Sequence, residues 1–155
     1  QAQSSANTQQ TQSMDSNNDS GDVVVDVVEQ QQTPEEMRQE RMQELASEST
    51  IHFDFDKSSI SYDAQQTLAT HASFLTENPN VSIIIEGHCD ERGTPEYNIA
   101  LGERRAKAVS NYLQTLGVSN SQITMVSYGE EKPVNESRTE AGFAQNRRAV
   151  LVYTN

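Results

Sequence analysis

The chain has 155 residues, enough for one ordinary domain with additional chain, and its formal charge at pH 7 is −12. Because no part of the chain carries a large basic patch, nucleic acid is excluded as a predicted partner. No apolar run approaches the roughly 20 residues that a membrane-spanning helix needs. A signal peptide is not recognisable either, which predicts a cytosolic chain or a mature form of an exported one. The single cysteine, Cys89, excludes an internal disulfide.

Residues 1–32 are rich in Gln, Ser, Asn and Asp and are predicted to form a disordered tether. Such a segment cannot bury enough apolar area to offset the entropy of ordering it. Acidic residues are concentrated here and just after, since residues 1–50 hold ten acidic and two basic side chains. The valine-rich run at 23–28 interrupts this composition, and an alternative is that it pairs with a sheet edge or a partner.

Residues 33–50 are predicted to form a short helix and linker. Thr33 can cap the helix, Pro34 suits its first position, and Glu36 completes a capping box. The helix is predicted to end near Ser47. Its thin apolar stripe consists of Met42, Leu45 and Ala46.

Residues 51–155 are predicted to form the folded domain. Periodicity and turn residues predict strands at 51–55, 81–86, 123–128 and 149–153, and helices after Ser61, at 98–116 and at 139–145. The order βαβαβ(α)β predicts an α/β fold, in the form of an α+β sandwich with helices packed on a mixed sheet. Right-handed crossovers would make the first three strands parallel to one another.

Polar residues cluster where the second strand ends and the long helix begins, over 87–94 and 98–106. Ligands of α/β sheets usually bind at this end of a strand. On a helical wheel Arg105 falls at the edge of the apolar stripe, whereas Arg104 points away from it. A guanidinium at a core margin needs an anionic partner. Two interpretations stay open: a ligand site that also uses the space beside Gly102, or an Asp90–Arg105 salt bridge with Gly102 packed on the sheet.

A family resemblance adds to this pattern. The spacing of Asp90, Gly93, Asn98, Leu101 and Arg105 resembles the OmpA-like family. Three motifs in the family's order, GHCDERGTPEYNIALGERRAKAV, VSYGEEKP and NRRAVLVY, resemble a lipid-anchored branch of it more closely. The likeness covers residues 51–155. Cys89 departs from the small residue usual in the family, but cysteine is similar in size, so the site should survive.

The resemblance implies non-catalytic binding of peptidoglycan through the diaminopimelate of its stem peptide. It implies that Arg105 holds the carboxylate of diaminopimelate and that Asp90 holds its ammonium group. It further implies that Asn98 and Leu101 belong to the site and that Phe55 and Asp56, in the loop after the first strand, help to close it. For Asp56, an ordinary turn residue is the alternative. No cofactor and no metal are expected.

The resemblance also implies a cellular setting. It implies a lipid anchor at the native N-terminus, attachment to the periplasmic side of the outer membrane, and a role in envelope integrity and cell division. TolB is the implied protein partner, with other Tol or OmpA-type proteins as further candidates. Gln1 would then stand in place of, or next to, an acylated cysteine.

Several alternatives to a non-catalytic peptidoglycan-binding domain are considered. A cell-wall hydrolase could use Asp90 and His88, and the chain could be the wall-binding end of a porin or a flagellar stator. A metal site would use His52, His88, Cys89 and Asp90, but these residues lack standard ligand spacing. The segment 146–148 is either the family's closing motif or a solvated strand end. Tyr97, Tyr112 and Tyr128 are expected to pack rather than to stack on a ligand.

Overall fold

The computed structural model describes residues 31–154. The predicted tether, apart from its last two residues, and the valine-rich run at 23–28 lie outside the described residues. The described residues belong to two units, which are divided between Glu40 and Arg41. None of the helices in the described part has the length and apolar character required to cross a membrane.

Helix α1 (Pro34–Ala46) begins with the predicted capping box. The Glu36 N–H donates to Thr33 Oγ1 at 3.1 Å, and the Thr33 N–H donates to Glu36 Oε1 at 2.9 Å. These two bonds satisfy donors that a helix N-terminus would otherwise leave free. Within the second unit, Met42 and Leu45 are buried in the hydrophobic core.

The sheet contains four strands: β1 (Thr50–His52), β2 (Ile83–His88), β3 (Ile123–Gly129) and β4 (Arg148–Tyr153). Their spatial order is β1-β4-β2-β3. Strand β4 pairs antiparallel with both β1 and β2, and β2 pairs parallel with β3. The first three strands therefore run in one direction, as predicted, and the mixed sheet is confirmed.

Three helices accompany this sheet: α2 (Tyr62–Glu77), α3 (Pro95–Thr115) and α4 (Glu140–Asn146). Each N-cap hydroxyl accepts a backbone N–H at 3.1 Å; the capping residues are Ser61, Thr94 and Thr139. Helices and sheet bury a common core. Its fully buried members include Leu68, Leu75, Ile85, Ala106, Val109, Leu113 and Ala149.

Two predicted elements differ by three residues at one of their limits. Strand β1 ends at His52, so Phe53 is buried while Phe55 is 54% exposed in the following loop. Helix α3 begins three residues earlier than predicted, because Thr94 caps it and Pro95 occupies the first turn. The helix ends at Thr115, one residue before its predicted end, and Leu116 is 39% exposed.

A contact between two glycines brings α3 onto β2. A Cβ at Gly87 would lie 1.8 Å from the carbonyl oxygen of Gly102, and a Cβ at Gly102 would lie 2.2 Å from Ser127 Oγ. The space beside Gly102 is thus filled by the sheet, and the idea that a ligand approaches it is wrong. The close approach places the first half of α3 beside the polar loop that follows β2.

Candidate functional site

A cavity of about 180 Å³ lies where the chain leaves β2. It has room for roughly six water molecules, which suits the end of one side chain. The lining residues are Phe55, Asp56, Cys89, Asp90, Arg92, Gly93, Tyr97, Asn98, Leu101 and Arg105. The structure therefore brings all six of the sequence-predicted site residues to one cavity, from the loop after β1, the loop after β2 and helix α3.

Asp90 is only 4% exposed, and both oxygens of its carboxylate accept hydrogen bonds. Arg92 donates to Asp90 Oδ1 from its backbone N–H at 2.9 Å and from Nε at 3.2 Å, and to Oδ2 from Nη2 at 2.8 Å. Arg147 Nη1 adds a contact to Oδ2 at 3.4 Å. Burial alone would raise the pKa of Asp90, but the bonds and charge of these arginines outweigh it and lower the pKa. The carboxylate is thus ionised at neutral pH.

Arg105 is fully buried, and its partners are carbonyl oxygens. Nε donates to Lys57 O at 2.8 Å, Nη1 to His88 O at 2.9 Å, and Nη2 to Asp54 O at 3.1 Å. Burial lowers the pKa of Arg105 from its ordinary value, although a guanidinium keeps its charge in proteins. The interpretation as an Asp90–Arg105 salt bridge is wrong, since no carboxylate of the described residues pairs with this side chain. Three of its five N–H groups are used in these bonds, which leaves two.

Asn98 and Leu101 form the helical wall of the cavity. The Asn98 amide donates to the carbonyls of Asp90 and Arg92, at 3.3 and 3.1 Å, and to Glu130 Oε1 at 2.8 Å. These bonds fix the loop after β2 to the start of α3. Leu101 is buried beside them and supplies an apolar surface.

The loop after β1 forms another wall. Its turn is closed by the Lys57 N–H, which donates to Asp54 O at 3.2 Å. Asp56 has a φ of 56°, in the left-handed region that aspartate tolerates better than most residues. Its side chain also accepts a hydrogen bond from the hydroxyl of Tyr97. Asp56 is therefore both a turn residue and a link between this loop and α3.

Arg92 lies in the motif GHCDERGTPEYNIALGERRAKAV, and no role was predicted for it. Its guanidinium lies 4.2 Å from the ring centroid of Phe55 and 4.5 Å from that of Phe143. Such contacts combine cation–π attraction with stacking of the planar group. Arg92 therefore connects Asp90, the loop after β1 and helix α4, three parts of the chain distant in sequence.

The segment 146–148 is buried, so the solvated strand end is wrong. Arg147 donates from Nε to Phe53 O at 2.9 Å and from Nη2 to Glu140 Oε2 at 3.1 Å. Arg148 donates from Nη2 to Lys132 O at 2.9 Å. Asn146 Oδ1 accepts from the Val134 N–H at 2.8 Å. These residues pin loops around the cavity, and Arg147 also reaches Asp90.

The side chains of His88 and Cys89 take separate partners. His88 Nε2 lies 3.1 Å from Glu86 Oε1, and its ring stacks on Tyr128 at 5.5 Å. The Cys89 thiol donates to Asn98 O at 3.2 Å, and burial raises its pKa. A thiol held in this way is not an activated nucleophile. Among the residues of the described range, no three of the metal-binding types cluster closely enough to hold a metal ion.

Comparison with known proteins gives the family. Residues 52–147 match the OmpA family, and the chain belongs to it. The expected family is thereby confirmed, together with its α+β fold.

Individual relatives show which proteins of this family the chain resembles. A peptidoglycan-associated lipoprotein from Pasteurella multocida is 52% identical over 105 residues, which cover 68% of this chain and 70% of the relative. A peptidoglycan-associated lipoprotein from Haemophilus influenzae is 50% identical over 105 residues, with 68% and 69% covered.

Solved structures agree on the architecture. The crystal structure of the peptidoglycan-associated lipoprotein from Burkholderia pseudomallei has a TM-score of 0.69 and 47% identity, and the match covers 71% of this chain and 93% of that one. The C-terminal domain of Helicobacter pylori MotB has a TM-score of 0.63 at 20% identity, with 68% of this chain and 84% of that one covered. The second likeness extends to the fold alone.

Sequence reasoning missed the roles of three residues: Arg92 and Tyr97, which line the cavity, and Arg147, which contacts Asp90. The clearest available signal concerned Arg92, which follows Asp90 by two residues within one loop and is thus within reach of its carboxylate. Tyr97 was expected to pack, yet it is 44% exposed at the cavity. The position of Arg147 depends on β4 lying between β1 and β2, which no local pattern shows.

Proposed function

We propose that this domain binds peptidoglycan that contains diaminopimelate, and that it does so without catalysis. The observation that carries the proposal is the cavity, because it places a negative and a positive side chain, Asp90 and Arg105, on the walls of one small space. The names of the relatives support it, since those proteins are called peptidoglycan-associated.

The end of a diaminopimelate side chain carries an ammonium and a carboxylate, so it complements these two charges. In the proposed complex Asp90 pairs with the ammonium group. The positive charge of Arg105 and the backbone N–H groups of Phe55 and Asp56 attract the carboxylate. Asn98 holds the two loops in place, and Leu101 contacts the methylene groups. Lysine in the same position lacks the carboxylate, so its binding should be weaker by about 2–3 kcal/mol, or tens to hundreds of fold.

Isolated cell walls test the proposal. The full chain should be retained on diaminopimelate-type peptidoglycan and much less on lysine-type peptidoglycan. Asp90→Asn removes the charge that would hold the ammonium, and it should abolish retention while circular dichroism shows a folded domain. Asp63→Asn, at the exposed start of α2, changes the net charge equally and should bind normally. Equal retention on both types of wall would refute the proposed ligand.

The absence of catalysis is part of the proposal. The buried thiol of Cys89 and the His88 ring, which is hydrogen-bonded to Glu86, offer no general base beside an activated nucleophile. Peptidoglycan incubated with the protein should release no soluble fragments. Fragments that appear with the wild type and disappear with His88→Gln would favour a hydrolase instead.

We further propose that the domain links the cell wall to the outer membrane. In this arrangement residues 1–32 are a flexible tether behind an N-terminal lipid, residues 33–50 a helix and linker, and residues 51–155 the binding domain. A coil of this length would span roughly 30 Å on average and about 100 Å when extended. Durable anchoring needs more than one acyl chain. The support is the name lipoprotein that the relatives carry.

Fractionation tests this setting. In cells that make the native precursor, the mature protein should sediment with outer membranes, and mass spectrometry should find an acylated N-terminus. TolB is the proposed protein partner in a Tol system that supports envelope integrity and division, and purified TolB should be captured by the full chain. An unmodified N-terminus in the soluble periplasmic fraction would rule out the lipid tether.

A further inference from the structure

The contacts of Arg92 show that Asp90 already pairs with a cation of the protein itself. Nε and Nη2 of Arg92 donate to different oxygens of Asp90, at 3.2 and 2.8 Å, which is the two-pronged geometry of a strong guanidinium–carboxylate pair. The guanidinium also contacts the rings of Phe55 and Phe143, at 4.2 and 4.5 Å from their centroids. This is a built binding place for a cation, made from three segments of the chain.

We infer that Arg92 occupies the place of the ligand's cationic group and must be displaced when an ammonium group pairs with Asp90. The inference rests on the proposed function, in which Asp90 receives that ammonium. Asp90 is 4% exposed, so a ligand cannot approach its oxygens while the present partners stay where they are. Arg92 is thus an internal competitor that the ligand replaces.

Of the two arginines at Asp90, only Arg92 is free to leave. Arg147 has a side chain that is 8% exposed, and its Nε donates to Phe53 O at 2.9 Å inside the domain. The side chain of Arg92 is 35% exposed and faces water on one side. Glu140, 70% exposed, lies 3.7 Å from Arg92 Nη1 and can keep the guanidinium paired after it turns outward.

The exchange also preserves charge balance. A ligand ammonium replaces a guanidinium, so Asp90 keeps a cationic partner and no buried charge is left alone. Phe55 stacks on Arg92 and lies in the loop whose N–H groups we propose bind the carboxylate of the ligand. Displacement of Arg92 therefore frees Phe55 from that stack, which couples entry of the cation to movement of the loop.

Calorimetry with the full chain and a soluble muropeptide ending in meso-diaminopimelate tests the inference. Arg92→Gln removes the competitor and should tighten binding by about three- to tenfold, the range expected for losing a partly exposed ion pair. Arg138→Gln is the matched control: it removes the same charge from an arginine that is 79% exposed and pairs with Glu91, next to Asp90. Its affinity should stay within twofold of wild type.

A second measurement follows the guanidinium directly. In the wild type, nitrogen-detected or proton–nitrogen NMR should show the Nε–H resonance of Arg92 shifting as the muropeptide is added, while that of Arg147 stays in place. Weaker or unchanged binding by Arg92→Gln, or an unperturbed Arg92 resonance in a saturated complex, would overturn the inference and leave the proposed function standing. If neither the wild type nor Arg92→Gln binds the muropeptide, the inference and the proposed function are both refuted.

Discussion

At the scale of single residues, Arg105 shows how a charge is kept inside this domain. Its guanidinium donates to three carbonyls, two of them in the loop after β1 (Asp54 and Lys57) and one at the end of β2 (His88). Together these bonds spread the charge over three dipoles. The same side chain therefore holds the walls of the cavity in place and contributes its positive charge to it.

This double role leads to a prediction about stability. Arg105→Ala would remove the guanidinium donor from all three carbonyls and leave a cavity in its place, so it should lower the free energy of unfolding by about 3–5 kcal/mol. Arg104→Ala changes an exposed neighbour that stacks on Tyr97 at 5.5 Å, and it should cost less than about 0.5 kcal/mol. Urea denaturation measures both values. Similar losses in the two variants would contradict the assigned contacts.

The cysteine gives a second prediction at this scale. Cys89 is 3% exposed and burial raises the pKa of its thiol, so little thiolate is present or accessible at neutral pH. Ellman's reagent should react at least about tenfold more slowly with the folded chain than with the urea-unfolded chain. Cys89→Ala should retain wall binding, because the thiol's bond to Asn98 O is its only polar role. Loss of binding by a folded Cys89→Ala protein would show that the sulfur has a further function.

How far these residues could be predicted depends on whether their partners are local. The helical wheel separated buried Arg105 from exposed Arg104, because both lie on one regular helix. It could not show that the partners of Arg105 are carbonyls, since two of them lie in the loop after β1, about fifty positions away. The contacts of Arg92 with Phe55 and Phe143 could not be predicted either, because both rings are distant from Arg92 in sequence.

At the scale of elements, the site depends on how closely α3 approaches β2. Gly87 and Gly102 lie back to back, and any side chain atom at Gly87 would meet the backbone of α3 at 1.8 Å. The backbone cannot turn aside as a flexible side chain can. This contact therefore sets the distance between the loop that carries Asp90 and the helix that carries Arg105.

An alanine pair tests that contact. Gly87→Ala should destabilise the domain by about 3 kcal/mol or more, because α3 must shift as a whole. Gly102→Ala should cost less: its nearest obstacle is the hydroxyl of Ser127, which can rotate, and alanine favours the helix by about 1 kcal/mol. Thermal unfolding followed by circular dichroism ranks the two. The reverse order would mean that the helix, and not the strand, limits the approach.

Element limits were predictable where a cap defines them. The Thr33–Glu36 box was recognised, and the bonds that it predicts are present. The predicted start of α3 at Asn98 is three residues too late, even though Thr94 followed by Pro95 is a strong start signal. The end of β1 could not be predicted from the alternation of apolar and polar residues. Phe53 and Phe55 both continue this alternation, but the turn closed by Lys57 directs Phe55 outward.

At the scale of the whole molecule, the position of β4 decides which residues surround the cavity. Because β4 lies between β1 and β2, its first residues enter beside both loops, and Arg147 can bond to Phe53 O as well as Asp90. The sequence predicted a mixed sheet with its first three strands parallel. The sequence did not determine the position of β4 in the sheet. The hydrophobic pattern of β4 is satisfied equally well beside any of the other strands.

The buried histidines make the stability of the whole domain depend on pH. Burial is the main cause that lowers the pKa values of His71 and His88 below their ordinary 6.5. On acidification the unfolded chain takes up protons near that value before the folded chain does. The stability contributed by each neutral histidine is therefore complete above about pH 6.5 and is lost as pH falls towards the lowered pKa of the folded state.

His71 allows this dependence to be measured apart from the relief of the chain's overall negative charge. It is 1% exposed and bonds to Tyr153 Oη at 2.7 Å and Glu48 O at 2.8 Å, bonds that a glutamine could partly replace. Between about pH 7.5 and pH 5.5 the wild type should lose stability relative to His71→Gln, by up to about 1.4 kcal/mol per pH unit. Asp90 does not interfere, because its lowered pKa acts below its ordinary 3.8. Urea unfolding across this range gives the difference, and a difference that grows in favour of the wild type at lower pH would show that folding raises the pKa of His71.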